Sequence, residues 1–145
     1  MGKLQDKTAL ITGASSGIGK KIAISFAEEG ADVAINYPDA SQAGNAEAVV
    51  SEINKRGRQA IAIKADVSKA DENAEMVNSF IEAFNHVDIL VNNAGIGRTV
   101  TVDEMTVENW DEMIAINLRS VFLTTHKVLP LMYAQGHGKI INTAS

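Results

Sequence analysis

Thr12-Gly13-Ala14-Ser15-Ser16-Gly17-Ile18-Gly19 lies between two stretches of different period. Before it, Thr8-Ala9-Leu10-Ile11-Thr12 is a short, nearly all-apolar run, the pattern of a strand buried on both faces. After it, Ile18, Ile22 and Phe26 recur on one helical face as far as Gly30, a residue suited to a helix C-terminus. Strand, glycine loop and helix in that order form the first turn of a β-α-β unit. Glycines there have physical jobs: one permits a tight turn, one lets backbone approach a pyrophosphate, and one lets helix and strand pack closely. The N-terminus of the helix presents free N–H groups and a partial positive charge to phosphates. An ordinary strand-to-helix turn also uses glycine, so the loop alone leaves both readings open. It is not a P-loop, because no Gly-Lys-Ser/Thr closes it.

The alternation continues downstream. Asp32–Asn36 reads as a strand closed by Tyr37-Pro38-Asp39, and Ala46, Val49, Val50 and Ile53 keep amphipathic helical spacing to about Gly57. Gln59–Lys64 reads as a strand, Ala74, Val77, Ile81 and Phe84 as a helix face, and Val87–Val91 as a strand stopped by Asn92-Asn93-Ala94-Gly95. Trp110, Met113, Ile114, Leu118, Val121 and Phe122 mark a long helix to about Tyr133 whose apolar stripe is expected on the sheet, with Pro130 expected to kink or end it. Lys139–Asn142 is the last strand. Repeated strand-helix-strand order implies a parallel sheet with right-handed crossovers and helices on both faces. The expectation is a single α/β domain over residues 1–145, a doubly wound Rossmann-type sheet in the order 3-2-1-4-5.

Composition narrows the function. The chain has 145 residues, 46% hydrophobic and 21% charged, the balance of a globular domain. A net charge of −5 argues against a nucleic-acid or anionic-membrane partner, since tracking phosphates needs surplus Lys and Arg. The absence of Cys removes disulfides and thiol nucleophiles, and His86, His126 and His137 have no metal-ligand spacing. With no apolar run of membrane-spanning length and no signal-peptide pattern, a cytoplasmic protein is expected.

Two motifs carry a resemblance. Thr12–Gly19 fits the TGxxxGxG pattern of the short-chain dehydrogenase/reductase family, and Asn92-Asn93-Ala94-Gly95 fits its NNAG motif after the fourth strand. The resemblance runs over the whole chain and is closest to the classical branch of 3-oxoacyl-ACP reductases and glucose or polyol dehydrogenases. It implies an NAD(P)-dependent oxidoreductase acting on a carbonyl/alcohol pair, assembled as a homodimer or homotetramer. A nucleotide-binding module or sensor without turnover is the other reading, and a purely structural α/β domain a third.

The residues that the resemblance implies at the cofactor are Gly13, Ser15, Ser16, Gly17, Ile18 and Gly19 in the glycine loop, and Asn36 and Tyr37 at the end of the second strand. Asp66 and Val67 would meet the adenine, and Asn93, Ala94 and Gly95 would border the cofactor from the fourth strand. Asp66 could instead cap the next helix, although Ser68 is a better cap candidate and would free it. Asn36 is neutral where an acid would bond the ribose of NAD and repel a 2′-phosphate, which favours NADP(H) slightly and leaves NAD(H) open.

Two positions match the family's catalytic ones. Asn117, expected on the buried stripe of the long helix, either holds a water that serves a catalytic Lys or is a structural amide satisfied by backbone. Ser145 would bond the substrate carbonyl oxygen. The family further places a Tyr about a dozen residues after that Ser and a Lys four beyond, and no Tyr-x-x-x-Lys occurs in these 145 residues. With Ile140 and Ile141 on an edge strand as well, the chain is expected to be the N-terminal part of a longer enzyme. Arg98–Val102 is expected to border the substrate, and His137 lies at the opposite end of the sheet from the glycine loop.

Overall fold

The computed structural model describes residues 2–144. Among them, β1 (Thr8–Ile11), β2 (Asp32–Tyr37), β3 (Ala60–Lys64), β4 (Ile89–Asn92) and β5 (Lys139–Asn142) form one parallel sheet in the order β3-β2-β1-β4-β5. The crossovers are α1 (Gly17–Glu28), α2 (Ala43–Asn54), α3 (Ala70–Phe84), and the pair α4 (Val107–Ile114) and α5 (Ser120–Gln135). This is the expected doubly wound Rossmann-type arrangement. The strand order reverses between β1 and β4, so their carboxyl ends open onto a crevice.

Period-two alternation sorts the strand residues into two cores. Ala9, Ile11, Val33, Ile35, Ile89 and Val91 face α1 and α2, which meet them with small and branched residues such as Ala23, Ala27, Val49 and Ile53. Leu10, Ala34 and Leu90 face Met76, Phe80 and Phe84 of α3 and Val128 and Met132 of α5. Phe80 is fully buried and meets Phe84 edge-on, with ring centroids 5.4 Å apart. Truncating such a ring costs about 3–5 kcal/mol.

The long helix departs from expectation in three ways. It is two helices joined by a π turn at Ala115–Arg119. Its sheet-facing residues are Ser120, Thr124, Val128 and Met132, while Trp110, Leu118 and Phe122 are 57%, 62% and 63% exposed. Two hydroxyls are tolerated inside because each has a partner: Ser120 Oγ donates to Ile116 O (2.6 Å) and Thr124 Oγ1 to Ser120 O (3.0 Å). Thr124 Oγ1 also accepts from Asn73 Nδ2 across the α3–α5 contact (2.8 Å). Pro130 does not end the helix, which runs on to Gln135. Pro130 and His126 both lie on the exposed side of α5, where the loss of one backbone hydrogen bond is best tolerated.

At the amino ends of the strands, Asp88 ties three segments together. It is 5% exposed and accepts from Thr8 N (2.9 Å), while His137 Nε2 (2.9 Å), His86 Nε2 (3.1 Å) and Lys7 Nζ (3.7 Å) surround its oxygens. Burial would push its carboxyl up, but the Thr8 N–H, His137, Lys7 and His86 together hold it below the ordinary carboxylate value.

Candidate functional site

A cleft of about 660 Å³ opens at the carboxyl ends of the strands. Its floor is made where the loops after β1 and β4 lock into each other. Thr12 Oγ1 accepts from the backbone N–H groups of Asn93 and Ala94, both at 3.0 Å. Asn93 Nδ2 donates back to Thr12 O and Gly13 O, both at 3.2 Å. Gly13 has φ +61°, and a Cβ there would lie 2.7 Å from Ala94 Cα. A Cβ on Gly19 would meet the Gly13 carbonyl oxygen, with Asn93 Nδ2 at 2.6 Å and Ala14 Cα at 2.9 Å. Contacts so short leave no room for any side chain at position 19.

The same loop starts α1. Ser16 is its N-cap but makes no side-chain cap, and the first turn holds no acidic residue. The first bond into the helix is from Lys20 N–H to Ser16 O at 3.1 Å, and among the described residues the N–H groups of Ser15 through Gly19 meet no protein acceptor. Ser15, Ser16, Gly17 and Ile18 line the cleft. It is therefore bordered by uncapped donors with the partial positive charge of a helix start, a combination that suits an anion.

The other expected cofactor residues divide. Gly13, Asp66, Val67, Asn93, Ala94 and Gly95 also line the cleft. Gly19 lies behind it, in the tight packing just described. Tyr37 is not on the cleft: it is half-buried against the α1–α2 core, and its carbonyl accepts from Ala65 N (3.0 Å). Asn36 reaches the cleft wall, but its side chain is 2% exposed and fully engaged with backbone. Its Oδ1 accepts from Gly13 N (3.1 Å), and Nδ2 donates to Ala65 O (3.0 Å) and Ile63 O (3.3 Å). The expectation that this amide meets a ribose gives way to an inward-facing tie.

Ser68 does not cap α3, whose N-cap is Lys69; its hydroxyl donates to Asp66 Oδ1 (2.6 Å), which also accepts Ser68 N (3.0 Å). Asp66 is thus held in a local turn, with its own N–H on Glu72 Oε2 (2.7 Å). Asn117 is exposed rather than buried, because the π turn rotates it away from the sheet. Its Oδ1 accepts from Ile96 N (2.7 Å) and Nδ2 donates to Ile96 O (2.8 Å), pinning the chain just after Gly95. That amide is satisfied by backbone. Arg98 pairs with Glu112 of α4 across the same loop. Ser145 lies outside the described residues.

Sequence reasoning missed Thr143, Ile96 and Ile116, and passed over Gln42, all of which line the cleft. Thr143 was findable, since it is the first residue past β5, and its hydroxyl donates to Asn93 Oδ1 (3.3 Å). Ile116 comes from the π turn, which no periodicity announces. Pro38 and Asp39 border the adjoining rim, where Ser41 O–H and N–H hold the Asp39 carboxyl below its ordinary value.

Residues 7–145 match the family described as short chain dehydrogenase. The chain belongs to the short chain dehydrogenase family. A curated relative, 3-oxoacyl-[acyl-carrier-protein] reductase of Staphylococcus epidermidis, is 47% identical over 140 residues, covering 97% of this chain and 57% of that protein. The chain thus spans little more than half the length of that relative. A short-chain alcohol dehydrogenase structure from Sinorhizobium meliloti superposes with a TM-score of 0.91 at 32% identity, covering 98% of this chain and 55% of that one. A blue fluorescent protein from a metagenomic library, solved in complex with NADPH, gives a TM-score of 0.89 at 35% identity over 98% of this chain and 57% of that one. In this member of the short chain dehydrogenase family the motif loops are thus the two that interlock beneath the cleft.

Proposed function

We propose that this short chain dehydrogenase binds NADP(H) in the cleft and belongs to an oxidoreductase that interconverts a carbonyl and an alcohol. The observation that carries the reading is the run of N–H groups without a protein acceptor, among the described residues, at Ser15, Ser16, Gly17 and Ile18, which line the cleft at an uncapped helix start. The fit is physical. A pyrophosphate needs several donors without competing acids, and hydrogen bonds to charged groups contribute about 1.5–3 kcal/mol each. The packing at Gly13 and Gly19 holds that loop flat enough for close approach. Bound there, a nicotinamide nucleotide supplies or accepts a hydride.

The chain's own residues do the rest. Ser15–Ile18 hold the pyrophosphate, with Gly19 packed behind them, and Asp66 and Val67 border the adenine. Asn93–Gly95 support the nucleotide's far end, and Asn117 keeps the segment at Ile96 in place. Ser145 donates to the substrate carbonyl oxygen and stabilises charge that develops there. The NADPH-bound neighbour supports NADP(H), and the relative named for 3-oxoacyl thioesters supports that substrate class. The exposed Trp110, Leu118 and Phe122 suit assembly with further copies.

The test uses the full-length protein with acetoacetyl thioesters and NADPH, following nucleotide oxidation. Turnover is expected, and Ser145→Ala should lower kcat by about 10²–10³. Tight NADPH binding without oxidation of nucleotide by any ketone would favour the non-catalytic module instead.

A further inference from the structure

We propose that Asn36 is a positioning residue which decides which N–H groups of the glycine loop face the dinucleotide. The inference rests on the dinucleotide reading above. Asn36 takes two successive loop donors: Gly13 N–H goes to its side-chain Oδ1 (3.1 Å) and Ala14 N–H to its main-chain oxygen (2.9 Å). Both are thereby turned into the sheet, and the loop's open donors begin at Ser15. With the other end of its amide, Asn36 donates to Ala65 O (3.0 Å), the residue that leads directly into Asp66 and Val67. One buried side chain thus ties the phosphate wall of the cleft to its adenine wall.

The tie needs an acceptor and a donor on one short, neutral, planar group, which is the chemistry of a primary amide. An aliphatic residue would leave Gly13 N–H and Ala65 O unpaired in a dry place. A carboxylate would still accept from Gly13 but would confront the oxygens of Ala65, Ile63 and Tyr37. A protonated carboxyl is different, because its O–H restores one donor. All partners of Asn36 are backbone groups, so none of them titrates.

This gives a test that a merely structural residue would not pass. NADP⁺ affinity is measured for the wild-type full chain, Asn36→Asp and Asn36→Ala between pH 8 and pH 5.5, with thermal melts beside each titration. Burial and the facing carbonyls raise the pKa of the introduced carboxyl. Relative to wild type at the same pH, Asn36→Asp should bind about 10-fold more weakly at pH 8 and recover to within about threefold at pH 5.5, while Asn36→Ala stays weak at both. An Asp variant equal to wild type at pH 8, or weaker by the same factor at every pH, overturns the inference. Should the variants fail to fold, amide exchange in the wild-type chain decides. Gly13 should be protected without nucleotide while Ser16 exchanges freely; the reverse order contradicts the tie. Wild-type protein that binds neither NADP⁺ nor NAD⁺ would instead overturn the dinucleotide reading, and the exchange measurement would still judge Asn36.

Discussion

At the carboxyl ends of β1, β2 and β4, three neutral side chains are bonded to the backbone of another segment: Thr12 to Asn93 and Ala94, Asn93 to Thr12 and Gly13, and Asn36 to Gly13 and Ala65. The donors left over are backbone N–H groups of the glycine loop. At the amino ends of the same strands the pattern inverts. There a buried carboxylate, Asp88, is enclosed by two imidazoles, an ammonium and a backbone N–H. Its charge is answered within the chain. The difference separates a site from a staple: one end keeps unanswered donors, whereas the other has matched its charge and offers a ligand little.

Gly19→Val tests that contrast most severely. The side chain would collide with Gly13, Ala14 and Asn93 together. NADP⁺ binding should fall beyond detection, at least about 100-fold, because the loop cannot keep its course under such overpacking. Isothermal titration of variant that is still folded by circular dichroism is the check; unchanged affinity would break the assignment of this end as the site.

Asp88→Asn probes the opposite end. It should cost about 1–3 kcal/mol of stability at pH 7, read by chemical denaturation, and leave NADP⁺ affinity unchanged. The sign with pH follows from the lowered carboxyl. Its contribution is full above the unfolded carboxylate pKa of about 3.9 and is lost as pH falls through the folded value. Wild type and variant should therefore converge in acid. A variant that binds nucleotide poorly would sharpen the comparison into a coupling between the two ends.

Much of this architecture could be read in advance. Thr8–Ile11, Asp32–Tyr37 and Ile89–Asn92 announce themselves because strands buried on both faces are continuous apolar runs, and the glycine loop because its backbone demands are specific. The orientation of single side chains was harder. Asn36 has the position of a ribose contact, but sequence does not show that its amide turns inward to Gly13. The buried stripe of α5 was misread because Ser120 and Thr124 look like surface residues until Ile116 O, Ser120 O and Asn73 are found to satisfy them. The π turn at Ala115–Arg119 inserts a residue into the helical phase, which moves Asn117 from the expected interior to the loop at Ile96.

Asn117→Ala should have a smaller effect than the Asp88 change. It removes two hydrogen bonds to Ile96 at an exposed place, so about 1 kcal/mol is expected in the local opening of that loop rather than in global unfolding. Faster amide exchange at Ile96 with little change in melting temperature would support a role confined to that loop. Smallest of all, Asp39→Ser removes a negative charge from the rim and should raise the NADP⁺ to NAD⁺ affinity ratio by about threefold at low salt, an effect that fades as salt is added. An unchanged ratio would place the 2′-phosphate away from that rim.

The most direct measurement is an amide chemical-shift map of the isotope-labelled full chain titrated with NADP⁺. Saturable shifts should appear at Ser15–Gly19, at Asp66 and Val67, and at Asn93–Gly95, while Thr8, His86, Asp88 and Gln135 stay still. Shifts centred on Asp88 and its histidines, or none at any nucleotide concentration, would contradict the account.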